Sequence, residues 1–131
     1  MRYLIDTDWL IDTIGGVAAA SQVLEQIFQD GPTISIISIG EYLDGAFGSP
    51  DPDREIQMLQ QFLSRMAVLG IDESTMEIFA RMRNYLRRRG QLIPDFDLLI
   101  ASTALQYDLT LLTRNTRHFA RIPNLRLYLP R

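Results

Sequence analysis

Cysteine and lysine are absent from this sequence, and histidine occurs once, as His118. Without cysteine there is neither a disulfide framework nor a thiolate metal site. One imidazole is too few for a zinc centre, which takes several nitrogen or sulfur ligands. Any metal bound here is held by oxygen. The missing lysine removes enzyme classes that need an ammonium group, and all thirteen basic residues are arginine. Long apolar runs are missing too. Met1-Arg2-Tyr3-Leu4-Ile5 breaks to Asp6 too early for a signal peptide, and no later run is long enough to span a membrane. The expectation is a cytoplasmic protein with no membrane contact. Its net charge of −3 does not advertise a nucleic-acid binder.

What is present suits one globular domain. At 131 residues the chain can build a real core but not two, so residues 1–131 are read as a single unit. Tyr3–Ile5 has the form of a short buried strand. A helix capped by Asp6 or Thr7 follows to about Ile14 and stops at Gly15-Gly16. Ala20, Val23, Leu24, Ile27 and Phe28 repeat at helical spacing within a helix from Ala18 to Gln29. Thr33–Ile37 is β-branched and strand-like, and Ser38-Ile39-Gly40-Glu41 has the form of a capping box that opens a helix to about Ala46. Asp51 or Asp53 starts another helix, with Ile56, Leu59, Leu63 and Met66 on one face. Ala67–Ile71 reads as a strand, Glu73–Arg89 as an amphipathic helix and Asp95–Tyr107 as a buried one. Strands at Leu109–Leu112 and Leu125–Leu129 complete the pattern. Strands alternating with helices predict βαβ units and a three-layer α/β/α fold around a mainly parallel sheet.

In such a sheet, ligands bind beyond the carboxyl ends of the strands. Asp6, Glu41 and Asn115 each follow a strand-like run. Asp97 sits in the first turn of a helix that can reach the same edge, directly before the buried run Leu98-Leu99-Ile100. Carboxylates gathered there repel one another unless a cation neutralises them. The chemistry that fits is an all-oxygen Mg2+ or Mn2+ site whose water attacks phosphorus. Each residue also has a purely structural reading. Asp6 and Asn115 can cap helices, Glu41 completes its capping box, and Asp97 favours the helix dipole. Asp95 reads as a cap or as an outer acid supporting the site.

The segments that carry these residues resemble the PIN domain, and within it the VapC-type toxins of toxin–antitoxin pairs. They are Tyr3-Leu4-Ile5-Asp6-Thr7-Asp8, Ser38-Ile39-Gly40-Glu41-Tyr42, Asp97-Leu98-Leu99-Ile100-Ala101-Ser102 and Leu111-Leu112-Thr113-Arg114-Asn115-Thr116-Arg117-His118-Phe119. Their order is the family's, and together they cover essentially the whole chain. The resemblance implies a Mg2+- or Mn2+-dependent endoribonuclease. By position, Asp6, Glu41 and Asp97 are its metal-binding acids and Thr7 the hydroxyl that supports the first. Asn115 stands where the family commonly has aspartate, which leaves one metal more readily accommodated than two. The resemblance also implies a cognate antitoxin whose terminal segment wraps the toxin. A homodimer is a further expectation. An apolar groove for that segment is expected from the helices Ala18–Gln29 and Ser38–Phe47, with Phe28, Tyr42, Leu43 and Phe47 as contacts.

RNA is held by cations and by stacking. Arg114 and Arg117 adjoin the expected site and are the substrate-binding candidates. Arg81, Arg83, Arg87, Arg88 and Arg89 crowd one helix end, where they also suit its dipole. Trp9, Tyr42 and Phe96 neighbour the acids and offer stacking faces or core packing. Two rival enzymes use an aspartate after a strand, the haloacid-dehalogenase-type phosphatases and the phosphorelay receivers. Both want a lysine that this chain lacks. The alternatives that remain are a housekeeping PIN nuclease and a silent PIN scaffold that binds RNA or protein.

Overall fold

The apolar run Tyr3–Ile5 forms β1, the middle strand of a five-stranded sheet in the computed structural model, which describes residues 2–129. The other strands are β2 (Pro32–Ser35), β3 (Ala67–Leu69), β4 (Thr110–Leu112) and β5 (Arg126–Leu127). Their order is β3-β2-β1-β4-β5, and every pairing is parallel. Leu4 lies opposite Thr33 on one side and Leu111 on the other. The chain thus leaves β1 toward β2 and returns to its opposite flank as β4. That reversal of strand order creates a crevice at the carboxyl ends of β1 and β4.

Alternation along β1 sends its side chains into different layers. Leu4 packs with Leu86, Leu98, Ile100 and Phe119. These belong to α5 (Glu73–Arg88), α6 (Asp95–Gln106) and α7 (Thr116–Phe119). Ile5 packs with Leu24, Ile27 and Leu112, while Leu10, Tyr42 and Leu59 gather around Ile34. Those contacts come from α1 (Thr7–Ile14), α2 (Ala18–Ile27), α3 (Ile36–Phe47) and α4 (Pro52–Leu63). The sheet therefore separates two helical layers, the expected α/β/α arrangement.

The helix that carries Asp97 is held most firmly. Leu98, Ile100, Ala101, Ser102, Thr103 and Ala104 of α6 are all buried. Its two buried hydroxyls are satisfied by carbonyls one turn back, Ser102 Oγ on Leu98 O at 2.7 Å and Thr103 Oγ1 on Leu99 O at 2.9 Å. Cutting fully buried Leu98 to alanine costs about 2–5 kcal/mol by the usual cavity cost. It would also loosen the turn that presents Asp97.

Several local expectations are corrected. β2 stops at Ser35, not Ile37, because Ser35 itself caps α3 by accepting the Ile37 N–H at 3.0 Å. Ser38 is thus a buried residue in the first turn of that helix rather than its cap, and there is no capping box with Glu41. A 3-10 turn, Phe28–Asp30, finishes the segment after α2. Strands β3 and β5 are shorter than expected, since edge strands gain pairing on one side only. Of the expected groove contacts, Phe28 lines an apolar groove between α2 and α4 together with Leu24, Met58, Phe62 and Met66, and Phe47 is exposed. Tyr42 of α3 is buried instead, with its hydroxyl on Glu55 Oε2 at 2.7 Å.

Candidate functional site

Asp6 leaves the end of β1 and caps α1, and its location decides its chemistry. Its backbone N–H bonds Leu112 O at 2.9 Å, which ties the residue into the crevice between β1 and β4. Oδ1 accepts the Thr7 N–H at 2.8 Å, and Oδ2 accepts the Thr113 hydroxyl at 2.6 Å. Only 5% of the residue is exposed. Burial pushes its carboxyl up to about 7, helped by the negative charges of Asp8 and Asp97 and opposed by the two hydrogen bonds.

Glu41 reaches the same place from the second turn of α3. The Thr7 hydroxyl donates to Glu41 Oε1 at 2.6 Å. Ser38 Oγ lies 3.0 Å from Thr7 Oγ1. The single Thr7 proton serves one bond, so in that pairing the serine hydroxyl is the donor. Buried Ser38, misread as a cap, thus steadies the hydroxyl that holds Glu41. The sequence signal for this was its position three residues before Glu41, one helical turn away.

Asp97 and Asn115 meet at the opposite wall. Asn115 precedes α7 without capping it through its side chain. Its Nδ2 lies 3.3 Å from Asp97 Oδ2 and 2.8 Å from His118 Nδ1, which is itself 3.0 Å from Asp97 Oδ2. One imidazole nitrogen cannot accept from the amide and donate to the carboxylate at once. If His118 Nδ1 carries the proton, it holds Asp97 and the amide turns its oxygen inward. The two inward oxygens then suit a cation. The Asn115 N–H bonds Thr113 Oγ1 at 3.0 Å, which links this wall back to Asp6.

The remaining candidates separate. Asp95 pairs with Arg83 Nε at 3.1 Å, its side chain largely in solvent. Pro94, not Asp95, occupies the cap position of α6. Arg114 is engaged by acids of α1. Its N–H bonds Asp8 Oδ2 at 2.9 Å and its guanidinium meets Asp12 Oδ2 at 2.9 Å. Burial also raises the Asp8 carboxyl, against the pull of that arginine. Arg117 is exposed. Of the three aromatic candidates, Tyr42 is buried, Trp9 packs edge-on against Tyr128, and Phe96 is 56% exposed.

Asp6, Glu41 and Asp97 supply only oxygen donors, and buried Asp6 is a carboxylate in want of a positive neighbour. That donor set suits Mg2+ or Mn2+. Among the described residues no three acidic or histidine groups form a ready-made cage. Mg2+ asks for less, because it retains several waters and takes one or two direct carboxylates.

Comparison with known proteins agrees with this arrangement. The profile of the PIN domain matches residues 3–125. The tRNA(fMet)-specific endonuclease VapC of Shigella flexneri is 31% identical over 126 residues, covering 96% of each chain. Ribonuclease VapC1 of Methanocaldococcus jannaschii is 33% identical over 121 residues, 92% of this chain and 81% of that one. Among solved structures, VapBC2 of Rickettsia felis bound to a DNA fragment from its promoter superposes with a TM-score of 0.92. It is 30% identical and covers 98% of each chain.

Proposed function

This chain belongs to the PIN domain family, and from that premise we propose that it is a VapC-type endoribonuclease, the toxin of a toxin–antitoxin pair, working with Mg2+ or Mn2+. The observation that carries the reading is Asp6, a carboxyl buried at the end of β1, with Glu41 tied to its neighbour Thr7 and Asp97 close enough to add its negative charge. A divalent cation in that crevice supplies charge for the phosphate oxygens and lowers the pKa of water. Asp6, Glu41 and Asp97 are the residues to hold it.

The chain's other groups fix those three. Thr113 and the Thr7 N–H orient Asp6, the Thr7 hydroxyl orients Glu41, and the His118 Nδ1–H orients Asp97. Side chains positioned in this way lose little freedom when substrate arrives. A phosphodiester approaching the acids alone would be repelled, so cation loading and RNA binding are coupled. In-line attack by water leaves a 5′-phosphate and a 3′-hydroxyl, without use of the 2′-hydroxyl.

The relative from Shigella is by name specific for tRNA(fMet), and tRNA is the first substrate to test. Purified protein is expected to cut tRNA with Mg2+ or Mn2+, to stop in a chelator, and to leave those ends. A 2′,3′-cyclic phosphate would overturn the mechanism. We place the enzyme in the cytoplasm as a homodimer, restrained by an antitoxin whose apolar segment lies in the groove between α2 and α4. Expression alone should arrest growth through Asp97, and co-expression with the antitoxin should relieve it.

A further inference from the structure

Beside the acids lies a cleft that, apart from Glu41, no part of the cleavage chemistry uses. It holds about 510 Å³ between α3 and the first turn of α6, lined by Ile36, Ile37, Gly40, Glu41, Asp44 and Phe96. Glu41 belongs both to this cleft and to the acid cluster. Phe96 immediately precedes Asp97, so the opposite wall is continuous with the cluster as well. The larger groove between α2 and α4 and the arginine-lined hollow on α5 contain none of the cluster acids.

The walls are unusual for solvent-facing helix. Ile36 is 44% exposed and Phe96 56% exposed. Gly40 stands between them, and a Cβ there would meet nothing within 4 Å. Glycine inside a helix is less stable than alanine, yet no neighbouring atom explains it. A larger side chain at this position would stand in the open space of the cleft. At its rim the exposed carboxylate of Asp44 adds a hydrogen-bond acceptor. Two apolar walls with an acceptor at one edge match a flat, π-faced ligand bearing donors on its rim.

We propose that this cleft is a nucleobase subsite, receiving the unpaired base next to the scissile phosphate between Phe96 and Ile36. The inference rests on the endoribonuclease reading. A scissile phosphate brought to the cation-loaded acids would carry its flanking bases within one nucleotide's reach, and the cleft begins at Glu41. Asp44 accepts from an amino group on the base edge, so adenine, cytosine and guanine are favoured. Uracil has no amino group, and its one edge donor, N3–H, is flanked by two carbonyl oxygens that an approaching carboxylate meets unfavourably, so it is disfavoured.

The test compares single-stranded oligoribonucleotides that share one cut site. One strand keeps both bases that flank the cut, and others carry an abasic ribose at one flank or the other. Wild-type protein with Mn2+ should cut one abasic strand about tenfold more slowly, the scale of one aromatic–base stack. Phe96→Ala and Gly40→Leu should cut the intact strand as slowly as that abasic one, and lose nothing more on it. An added Cβ at Gly40 meets no protein atom and leucine favours a helix over glycine, so the melting temperature of Gly40→Leu should hold, which separates a filled cleft from a damaged fold. Asp44→Asn should narrow the preference against uracil at the sensitive flank. Equal wild-type rates on all strands would overturn the subsite and leave the nuclease reading intact. So would variants that slow every strand alike, or that change only the oligomeric state, since the cleft would then be an interface. A protein that cuts neither these strands nor tRNA refutes the nuclease reading and the subsite with it, and one that cuts tRNA alone refutes the subsite only.

Discussion

Asp6 and Asp72 are the same residue in the same local role, and their chemistry is opposite. Each follows a strand and caps the next helix, Asp6 at α1 and Asp72 at α5. Asp72 accepts the Thr75 N–H at 3.0 Å and the Gln106 amide at 3.0 Å. Those bonds, that from the Thr75 backbone foremost, lower its carboxyl below the usual range. Asp6 also accepts two hydrogen bonds, yet its carboxyl rises to about 7 because burial outweighs them. A cap at the sheet's edge lies in solvent, whereas a cap at the point of strand reversal lies between layers. What separates a structural acid from a site acid is therefore the place of its strand in the sheet.

The largest effect should come from removing the charge at the buried cap. Asp6→Asn keeps an acceptor for Thr7 and removes the negative charge that draws the cation. RNA cleavage should fall by more than about 100-fold, since even outer partners of metal ligands cost 10- to 100-fold. Its metal-free melting temperature should hold or rise. The same residue sets a pH dependence. A carboxyl raised from 3.8 to about 7 in the fold binds more protons there than in the unfolded chain. Its contribution to stability is thus full below pH 4 and declines as pH climbs toward 7, by on the order of a few kcal/mol. Melting of the metal-free protein from pH 4 to 8 should show a decline that Asp6→Asn flattens. Mn2+ should raise the wild-type melting temperature more at pH 8 than at pH 5, because it binds the ionised form. An identical pH profile in Asp6→Asn would make Asp6 a second Asp72.

Next in size is the hydroxyl that joins α1 to α3. Thr7→Val keeps shape and loses the bond to Glu41 Oε1. Cleavage should fall by about 10- to 100-fold, with weaker Mn2+ binding by titration calorimetry and a fold that remains. Unchanged Mn2+ affinity would mean that Glu41 needs no tether. Asp72→Ala sits on the other side of the comparison. It should lower the melting temperature through loss of the cap and leave cleavage and Mn2+ affinity untouched.

The sequence disclosed one side of this contrast better than the other. Tyr3–Ile5 and Leu98-Leu99-Ile100 announced their burial by composition, and with them came the sheet and the central helix. The acids were visible because each follows or opens such an element. What stayed hidden was anything set by the packing of distant segments. Ser35 and Ser38 are both plausible caps, and only the end of pairing with β3 at Ser35 decides between them. Trp9, Tyr42 and Phe96 look alike beside their acids, although α4 buries Tyr42 and solvent reaches Phe96. Arg114 looked free for substrate, because Asp8 and Asp12 lie more than one hundred residues away in the chain. His118 carried no signal beyond its nearness to Asn115, since its partner Asp97 comes from another helix.

The smallest effect is expected at Asp95, which tests how local the distinction between acids is. It lies two residues before Asp97 on the same turn of α6, yet its side chain is 61% exposed and meets Arg83 in solvent. Exposed pairs of this kind contribute about 0.2–1 kcal/mol, because water screens the attraction and two long side chains must be ordered. Its position in the first helical turn adds a similar dipole effect of about 0.3–1 kcal/mol at low salt. Asp95→Asn removes one charge, keeps an oxygen for Arg83 and leaves the buried face of α6 alone. The melting temperature should drop slightly in low salt and recover toward wild type as salt screens both contributions. Cleavage rate and Mn2+ affinity should stay within about twofold of wild type, well inside the 10- to 100-fold range for lost ligand supports. A loss of cleavage matching that of Asp6→Asn would put Asp95 among the metal-binding acids, and exposure would no longer separate a site acid from its neighbour.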